Sequence, residues 1–360
     1  MQRVIPVMST VDRRMKSPSA LFSCSSASNP TSGTRFSLHE RDGYHKFLSS
    51  AKKTASQSAL FNAAAAVAAV PSDGNVGGGP ETKKFNPGPS ITFGSSGLKL
   101  NLFGTFYGFV AISLGIFWWT ALTIYQMIKK IFPKLDPFTR IPIGISHTWG
   151  MALMKLTRCY PIIKGRENLE TLYGKNPRPA MFVANHSSWM DIPFLSAAIG
   201  WNNYKIISKM ELLKVPILSK SLTVGGHVML DRTSRRSQLT TYKKGIEWLK
   251  NGVHLCTFAE GTRSRDGRLQ PFKNGAFKMA EAVGAPIVPV SIRYAHLVNP
   301  VEWVFPFRSA RSVPSEIILG TPIETVGKDD AEVLAEVREA MIAALPECQH
   351  PLPDTPDSAS

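Results

Sequence analysis

The chain of 360 residues has little cysteine: four residues, none of them in a C-x-x-C motif. This composition excludes a disulfide framework, and the scattered thiols indicate a reducing compartment. The glycine-rich G-x-x-x-x-G-K-S/T and G-x-G-x-x-G motifs are also missing, so nucleotide chemistry has no support. Zinc-finger spacing and the aromatic signature of RNA-binding modules do not occur either, which argues against nucleic-acid recognition.

Acidic residues are few relative to basic ones: 26 Asp and Glu stand against 42 Lys and Arg, for a net charge of +16. Such a charge fits an anionic partner, namely nucleic acid, a membrane surface or a phosphorylated substrate. Many of the cations lie in the N-terminal segment or beside an apolar run. Because they do not cluster on one predicted face, we predict no nucleic-acid partner.

Acids are almost absent from the N-terminal region, where Asp12 is the only one before Glu40. Its first 38 residues are rich in Ser, Thr and Arg, a composition typical of organellar transit peptides. An alanine-rich stretch and then a linker rich in glycine and proline follow. We predict that residues 1–90 are a disordered targeting region and linker, and that residues 348–360 are a disordered tail.

Charged side chains are absent from residues 102–128, a run long enough to cross a bilayer as a helix. The cations after it, including Lys129 and Lys130, place the C-terminal portion on the stromal or cytosolic side by the positive-inside tendency. A second apolar stretch from Ile141 is too short and too polar to span, but it could form with the first a hairpin in one leaflet. We predict a membrane-associated helical segment over residues 100–156; the alternative is a pair of soluble core helices.

Short apolar runs typical of strands recur from residue 161 onward. The six candidates are 180–185, 204–208, 226–231, 254–260, 286–292 and 315–320. Helical patterns lie between them, for example over 237–252 and 329–346. The alternation predicts an α/β domain over residues 157–347, with a largely parallel sheet flanked by helices.

Polar residues follow four successive predicted strands. They are His186 and Asp191 after the first strand, Lys209 after the second, Arg232 after the third, and Glu260, Gly261, Thr262 and Arg263 after the fourth. Each alone has an ordinary explanation as a helix cap or a solvated charge. Because parallel strands end at one edge of the sheet, where such folds place their sites, the four groups together favour a functional site.

His186 and Asp191 suggest a general base with an orienting carboxylate. Positions five apart point about 140° away from each other in an ideal helix, so a contact needs a turn there, with the helix beginning near Asp191. Pro193 agrees with a helix start. The alternative is that Ser187, Ser188 and Asp191 simply cap a helix. No G-x-S-x-G elbow surrounds the serines, so a serine hydrolase is weakly supported.

Four sequence blocks carry a family resemblance. They are NHSSWMD at 185–191, GHVMLDR at 226–232, FAEGTRS at 258–264 and APIVPVSI at 285–292. In this order they resemble the glycerolipid acyltransferase family, and in particular its plastid-type branch that acylates lysophosphatidic acid. The third block has Ala259 where the family usually has proline, and the segments 208–216 and 272–277 also have counterparts.

The resemblance implies that His186 is the base, that Asp191 orients it, and that Pro289 belongs to a structural or acyl-binding region. The acceptor-phosphate site it implies consists of Lys209, Arg232, Glu260, Gly261, Thr262 and Arg263. The implied reaction moves an acyl group from acyl carrier protein or coenzyme A to the sn-2 hydroxyl of lysophosphatidic acid, giving phosphatidic acid, with membrane lipid as partner and without cofactor or metal.

Alternatives to this reaction are transfer to glycerol 3-phosphate or to another lysophospholipid, and a non-catalytic membrane-anchored binding protein. The intact histidine and aspartate argue against the last of these. The expected location is a plastid membrane with the catalytic domain on the stromal side, and the alternative is the endoplasmic reticulum or a mitochondrial membrane.

Overall fold

The computed structural model describes residues 87–174 and 177–352. The predicted targeting region therefore lies outside the described residues over 1–86. Residues 87–90 belong to the predicted disordered linker, but the structure describes them, and Ser90 is the first residue of the first strand. Strand β1 (Ser90–Phe93) pairs antiparallel with β2 (Leu98–Asn101).

The main sheet has seven strands. They are β3 (Ile162–Lys164), β4 (Met181–Ala184), β5 (Tyr204–Lys209), β6 (Val228–Leu230), β7 (His254–Phe258), β8 (Ile287–Arg293) and β9 (Glu316–Leu319), in the spatial order β3-β9-β8-β4-β7-β5-β6. Every neighbouring pair is parallel except β8 and β9. The predicted α/β fold with a largely parallel sheet is confirmed, and all six predicted strands are present. Strand β3 was not predicted, because its three residues are too few to show a periodic pattern.

Nine α-helices occur among the described residues. They are α1 (Leu102–Ile131), α2 (Arg140–Leu156), α3 (Glu170–Tyr173), α4 (Asp191–Ile199), α5 (Pro216–Val224), α6 (Arg235–Lys250), α7 (Gly275–Glu281), α8 (Ala295–Val298) and α9 (Asp330–Ala344). Ser234 and Asp329 cap α6 and α9 by accepting backbone N–H bonds, which fixes where these two helices begin.

Side chains alternate between the two faces of the sheet, and each face has its own core. Phe182 and Ala184 of β4 belong to the first core, with residues of α1, α2 and α4. Met181 and Val183 belong to the second core, with residues of α6, α7 and α9. The first face thus carries the predicted membrane-associated helices, and the second carries the amphipathic helices recognised from their 3.6-residue period.

Helices α1 and α2 pack together as a hairpin. The indole rings of Trp118 and Trp149 stack with centroids 4.7 Å apart, and Trp118 donates to the Ser146 hydroxyl at 3.1 Å. The start of α1 is tied to the domain because Asn101, its N-cap, donates to the Phe307 carbonyl at 2.8 Å. By length and composition, α1 is long and apolar enough to cross a membrane.

The outer face of α1 is apolar along its whole length. Exposed side chains on it include Leu102, Phe106, Phe109, Ile112, Ile116, Phe117, Ile124, Met127 and Ile131. Its buried residues, such as Tyr107 and Leu122, lie on the opposite face against the domain. Helix α1 therefore packs against the domain on one side and exposes apolar side chains on the other.

The end of the chain differs from the predicted disordered tail. Residues 347–349 form a short 3₁₀ helix, and the Gln349 side chain is fully buried. Its amide donates to the carbonyls of Gly267 and Ile292, and its oxygen accepts from the backbone N–H of Tyr294. These hydrogen bonds satisfy a buried amide and extend the folded domain past residue 347.

Gly245 in α6 makes close packing between α6 and α7 possible. A Cβ at this position would lie 2.5 Å from the Met279 sulfur and 3.2 Å from Leu255 Cδ1, whereas a Cβ at Gly115 in α1 would meet no atom within 4 Å. We expect Gly245→Ala to lower the free energy of unfolding, because overpacking costs about 1–3 kcal/mol and the gain in helix propensity returns only about 1 kcal/mol. Gly115→Ala is the matched control and should be neutral or stabilising. Urea denaturation of both variants checks this, and equal stabilities would contradict it.

Candidate active site

Four strand ends deliver polar side chains to one cleft at the carboxyl edge of the sheet. The cleft has a volume of about 930 Å³. Among the predicted site residues, its lining includes His186, Lys209, Arg232, Gly261, Thr262 and Arg263. Asp191 and Glu260 are buried behind this lining, with 0% and 4% of their surface exposed. The residues predicted to form a site thus lie close together, but two carboxylates do not face the cleft.

His186 and Asp191 are in direct contact. The ring nitrogen Nδ1 lies 2.7 Å from Asp191 Oδ2. A carboxylate accepts, so Nδ1 carries the proton and the neutral ring keeps a free lone pair on Nε2. His186 lines the cleft with 17% of its side chain exposed, whereas Asp191 is fully buried. This geometry suits a base whose tautomer is set from behind.

The loop between β4 and α4 wraps around the Asp191 carboxylate. Oδ2 also accepts the backbone N–H groups of Ser187 at 2.7 Å and Ser188 at 2.8 Å. Helix α4 begins at Asp191, as the spacing to His186 required. Helix α4 has no side-chain cap, so the capping alternative does not describe this loop. One oxygen of Asp191 instead holds the turn before the helix and the histidine ring together.

The backbone of His186 is fixed by the loop after β7. Its N–H donates to Glu260 Oε1 at 2.7 Å, and its carbonyl accepts from the Ser264 N–H at 2.7 Å. Phe258 stacks on the imidazole with ring centroids 4.0 Å apart and an interplanar angle of 17°. The ring is thus held by a carboxylate on one edge and an aromatic ring on one face, which leaves it little rotational freedom.

A fourth cation lines the cleft together with the three predicted ones. Lys273 lines the cleft with Lys209, Arg232 and Arg263. Burial, followed by repulsion from Arg232, lowers the pKa of Lys209, and Lys273 and Arg263 contribute to that repulsion. Burial also lowers the pKa values of Arg232 and Arg263. Cations that repel one another in a partly buried cleft favour an anionic ligand.

Gly261 lies directly beside two of these cations. Its φ of +81° lies in the left-handed region, and a Cβ there would lie 3.2 Å from both Arg232 Nη2 and Lys273 Cε. A side chain at this position would be strained and would intrude between the two cations. Lys273 was not predicted as a site residue, although it lies in the segment 272–277. The signal for it in the sequence is a lysine two residues before a helix, after the third block.

Glu260 lies in a different position from the one expected of an acceptor-phosphate residue. Its carboxyl accepts the backbone N–H of His186 and, at 3.2 Å, that of Gln270. Burial and, to a smaller extent, nearby Asp191 raise the pKa of Glu260 to about 8, although the two backbone hydrogen bonds act in the opposite direction. A buried carboxyl that holds the backbone of the base fits a positioning role and cannot attract phosphate.

Part of the cleft lining is apolar, and we call this part the apolar arm. Its lining comes from strands and from α6 and α7, and includes Ile207, Leu230, Leu239, Tyr242 and Met279. Pro289, which the resemblance assigned to a structural or acyl-binding region, is buried within β8 and does not line the cleft. The cleft thus combines a charged part with an extended hydrocarbon surface.

Comparison with known proteins places the chain in a family. A family model described as Acyltransferase matches residues 161–293. The chain is 32% identical over 256 residues to the chloroplastic 1-acyl-sn-glycerol-3-phosphate acyltransferase LPAT1 of Arabidopsis thaliana, covering 69% of this chain and 68% of that protein. The chain belongs to the acyltransferase family. Within it, the similarity is to the 1-acyl-sn-glycerol-3-phosphate acyltransferases.

Two further relatives agree with this assignment. A chloroplastic 1-acyl-sn-glycerol-3-phosphate acyltransferase of Brassica napus is 33% identical over 176 residues, which span 48% of this chain and about half (49%) of that protein. The crystal structure of the 1-acyl-sn-glycerophosphate acyltransferase PlsC from Thermotoga maritima matches with a TM-score of 0.51 and 25% identity, over 68% of this chain and 93% of that one.

The raised pKa of Glu260 predicts a pH-dependent stability. The unfolded carboxyl ionises near 4.5 and the folded one near 8, so between these values the folded state holds the extra proton. Stability from this group is therefore present below pH 4.5 and is lost as pH rises towards 8, with a slope of at most about 1.4 kcal/mol per pH unit. Glu260→Gln cannot ionise, so its unfolding free energy should fall less between pH 6 and 8 than that of the wild type. Denaturation at three pH values checks this; parallel curves would contradict it.

Proposed function

We propose that this protein transfers a fatty acyl group from an acyl thioester to the sn-2 hydroxyl of lysophosphatidic acid, giving phosphatidic acid. The observation that carries the proposal is the His186–Asp191 contact of 2.7 Å beside four cations in one cleft. The relatives named as 1-acyl-sn-glycerol-3-phosphate acyltransferases support the choice of acceptor.

In the proposed reaction His186 is the general base. Nε2 takes the proton of the acceptor hydroxyl while the oxygen attacks the thioester carbonyl, and Asp191 stabilises the imidazolium that forms. The C–S bond then breaks, and the imidazolium returns the proton to the leaving thiolate. The acyl oxygen ester is the product, so no covalent enzyme intermediate is required.

The four cations are proposed to hold the acceptor phosphate. Arg232 and Arg263 can each present two N–H groups to phosphate oxygens, whereas Lys209 and Lys273 act as point charges. An anion bound between them would relieve the repulsion that lowers the pKa of Lys209. Gly261 and Thr262 directly precede Arg263 in the chain, and both also line this cleft.

The apolar arm is proposed to hold a fatty acyl chain. Helices α6 and α7 contribute Leu239, Tyr242 and Met279 to its lining, and these side chains present apolar surface. An acyl chain buried here would contribute about 0.8 kcal/mol per methylene group. The hydrocarbon lining therefore supports a lipid substrate over a small water-soluble one.

The α1–α2 hairpin is proposed to rest in one leaflet of a plastid membrane, with the catalytic domain on the stromal side. The outward apolar face of α1 supports insertion from one side. The cations Lys129 and Lys130 in its last turn suit the headgroup region. The chloroplastic relatives support the organelle, and the chain before residue 87 is proposed as the targeting region and linker.

Replacement of the base should remove activity and leave the fold intact. General-base catalysis contributes about 10²- to 10⁴-fold, so we expect His186→Ala to lower kcat by at least two orders of magnitude. The assay measures phosphatidic acid formed by the full-length protein from lysophosphatidic acid and a long-chain acyl thioester. Circular dichroism and the unfolding midpoint are measured on the same preparation.

A folded His186→Ala protein with wild-type turnover would refute the mechanism. Wild-type protein that acylates glycerol 3-phosphate or another lysophospholipid, and leaves lysophosphatidic acid unchanged, would replace the proposed acceptor. A folded wild type that acylates none of these acceptors would favour a non-catalytic binding protein.

Loss of one cation should weaken acceptor binding. We expect Arg263→Ala or Lys273→Ala to raise the KM for lysophosphatidic acid about tenfold or more, because each removes a charge-assisted contact of about 1.5–3 kcal/mol. Arg311→Ala is the control, since Arg311 is exposed and is not part of the cleft lining. Steady-state kinetics with varied acceptor measure the effect, and unchanged acceptor KM values in both variants would exclude the cation cluster as the phosphate site.

A further inference from the structure

Helix α6 carries a strongly basic surface at the rim of the cleft. Its sixteen residues include five cations, Arg235, Arg236, Lys243, Lys244 and Lys250, but a single acid, Glu247. Arg236 and Lys243 are exposed, and Leu239 between them is 54% exposed. A large exposed leucine flanked by cations differs from an ordinary solvated helix face, which carries both signs of charge.

Three of these side chains share one face of the helix. With 3.6 residues per turn, Arg236, Leu239 and Lys243 point within about 60° of one another. We call this set the α6 face. It borders the cleft directly, because Leu239 and, one turn earlier, Arg235 belong to the cleft lining. Whatever binds to the α6 face therefore sits next to the entrance of the site.

The charges of the α6 face are available to a partner. In the part of the chain that the structure describes, no carboxylate forms an ion pair with Arg236 or Lys243. Glu247 lies one turn after Lys243 on the same helix, yet the two do not pair within 4.0 Å. Unpaired cations beside an apolar residue are complementary to a surface with carboxylates around a hydrophobic patch.

The position of α6 argues for a soluble partner. Helix α6 packs on the second core of the sheet, through Leu249 and Gly245. The apolar hairpin of α1 and α2 packs on the first core, on the opposite face. Since the hairpin is the surface that meets the bilayer in the proposed function, the α6 face is directed away from it.

We propose that the α6 face docks a small acidic carrier protein that bears the acyl chain as a thioester. The proposal rests on the proposed function and names the donor class for the same cleft. Docking next to Leu239 and Arg235 would let the acyl thioester of the carrier enter the cleft that His186 lines. A donor carried by coenzyme A would need no protein surface of this kind.

Binding of the carrier to the full-length protein tests the proposal directly. The probe is fluorescently labelled palmitoyl–acyl carrier protein, titrated by anisotropy at 50 mM and 300 mM salt against wild type, Arg236→Glu, Lys243→Glu and Arg311→Glu. The last variant has the same charge change on an exposed loop residue that follows Ala310 of the first core. Charges at the rim of an interface mainly change the rate of association and its salt dependence. We therefore expect Arg236→Glu and Lys243→Glu to weaken binding of the carrier about tenfold at low salt. Arg311→Glu should bind like the wild type.

Several results would overturn the proposal. Equal affinity of wild type, Arg236→Glu and Lys243→Glu for the carrier would do so, as would an equal loss in Arg311→Glu, since that reflects net charge alone. Loss of binding to anionic vesicles of phosphatidylglycerol in the α6 variants, with carrier binding unchanged, would assign the face to the membrane instead.

Acyl transfer in the same variants separates this proposal from the proposed function. With palmitoyl–acyl carrier protein as donor, kcat/KM should fall about tenfold in Arg236→Glu, whereas with palmitoyl-coenzyme A it should change less than about threefold. An equal fall with both donors would place Arg236 in general thioester binding and overturn carrier docking. If wild type binds the carrier in this charge-dependent way but forms no phosphatidic acid, docking stands and the proposed function fails.

Discussion

The buried carboxylate of Asp191 is the interaction on which the site depends. One of its oxygens accepts three N–H groups, from the His186 ring and from the backbone of Ser187 and Ser188. These bonds turn the chain sharply after β4 and let α4 begin at Asp191. Because the same oxygen orients the histidine and closes the turn, removing the carboxylate would disturb the loop as well as the base.

The loop after β7 makes this arrangement rigid. Glu260 and Ser264 bond the backbone N–H and carbonyl of His186, and Gly261 turns the chain in a left-handed conformation between them. Burial favours the protonated form of Glu260, since it raises the pKa to about 8. A neutral carboxyl at this point can hold the backbone without cancelling the positive charge that Arg263 and its neighbours present in the cleft.

The two faces of the sheet separate the two environments that a lipid acyltransferase must connect. The first face carries α1 and α2, whose outer surface is apolar and suits a bilayer. The second face carries α6 and α7, with the apolar arm of the cleft between them and basic residues outside. The cleft lies at the carboxyl edge where both faces meet, so in the proposed function a substrate from the membrane and a donor from solution can both reach His186.

The sequence by itself determined the fold class and most of the site. Six strands can be recognised from short apolar runs, and the polar residues that follow four of them include His186, Lys209, Arg232 and Arg263. This worked because parallel strands end at a common edge, so residues that follow successive strands along the chain come close together in space.

Only the tertiary structure decided the orientation of each side chain. Periodicity gives no sign that Glu260 turns inward to bond a backbone N–H 74 residues earlier, that Lys273 joins the cation cluster, or that Gln349 is buried. Such contacts depend on how loops fold over the sheet, and loop conformation leaves no repeating pattern in the sequence.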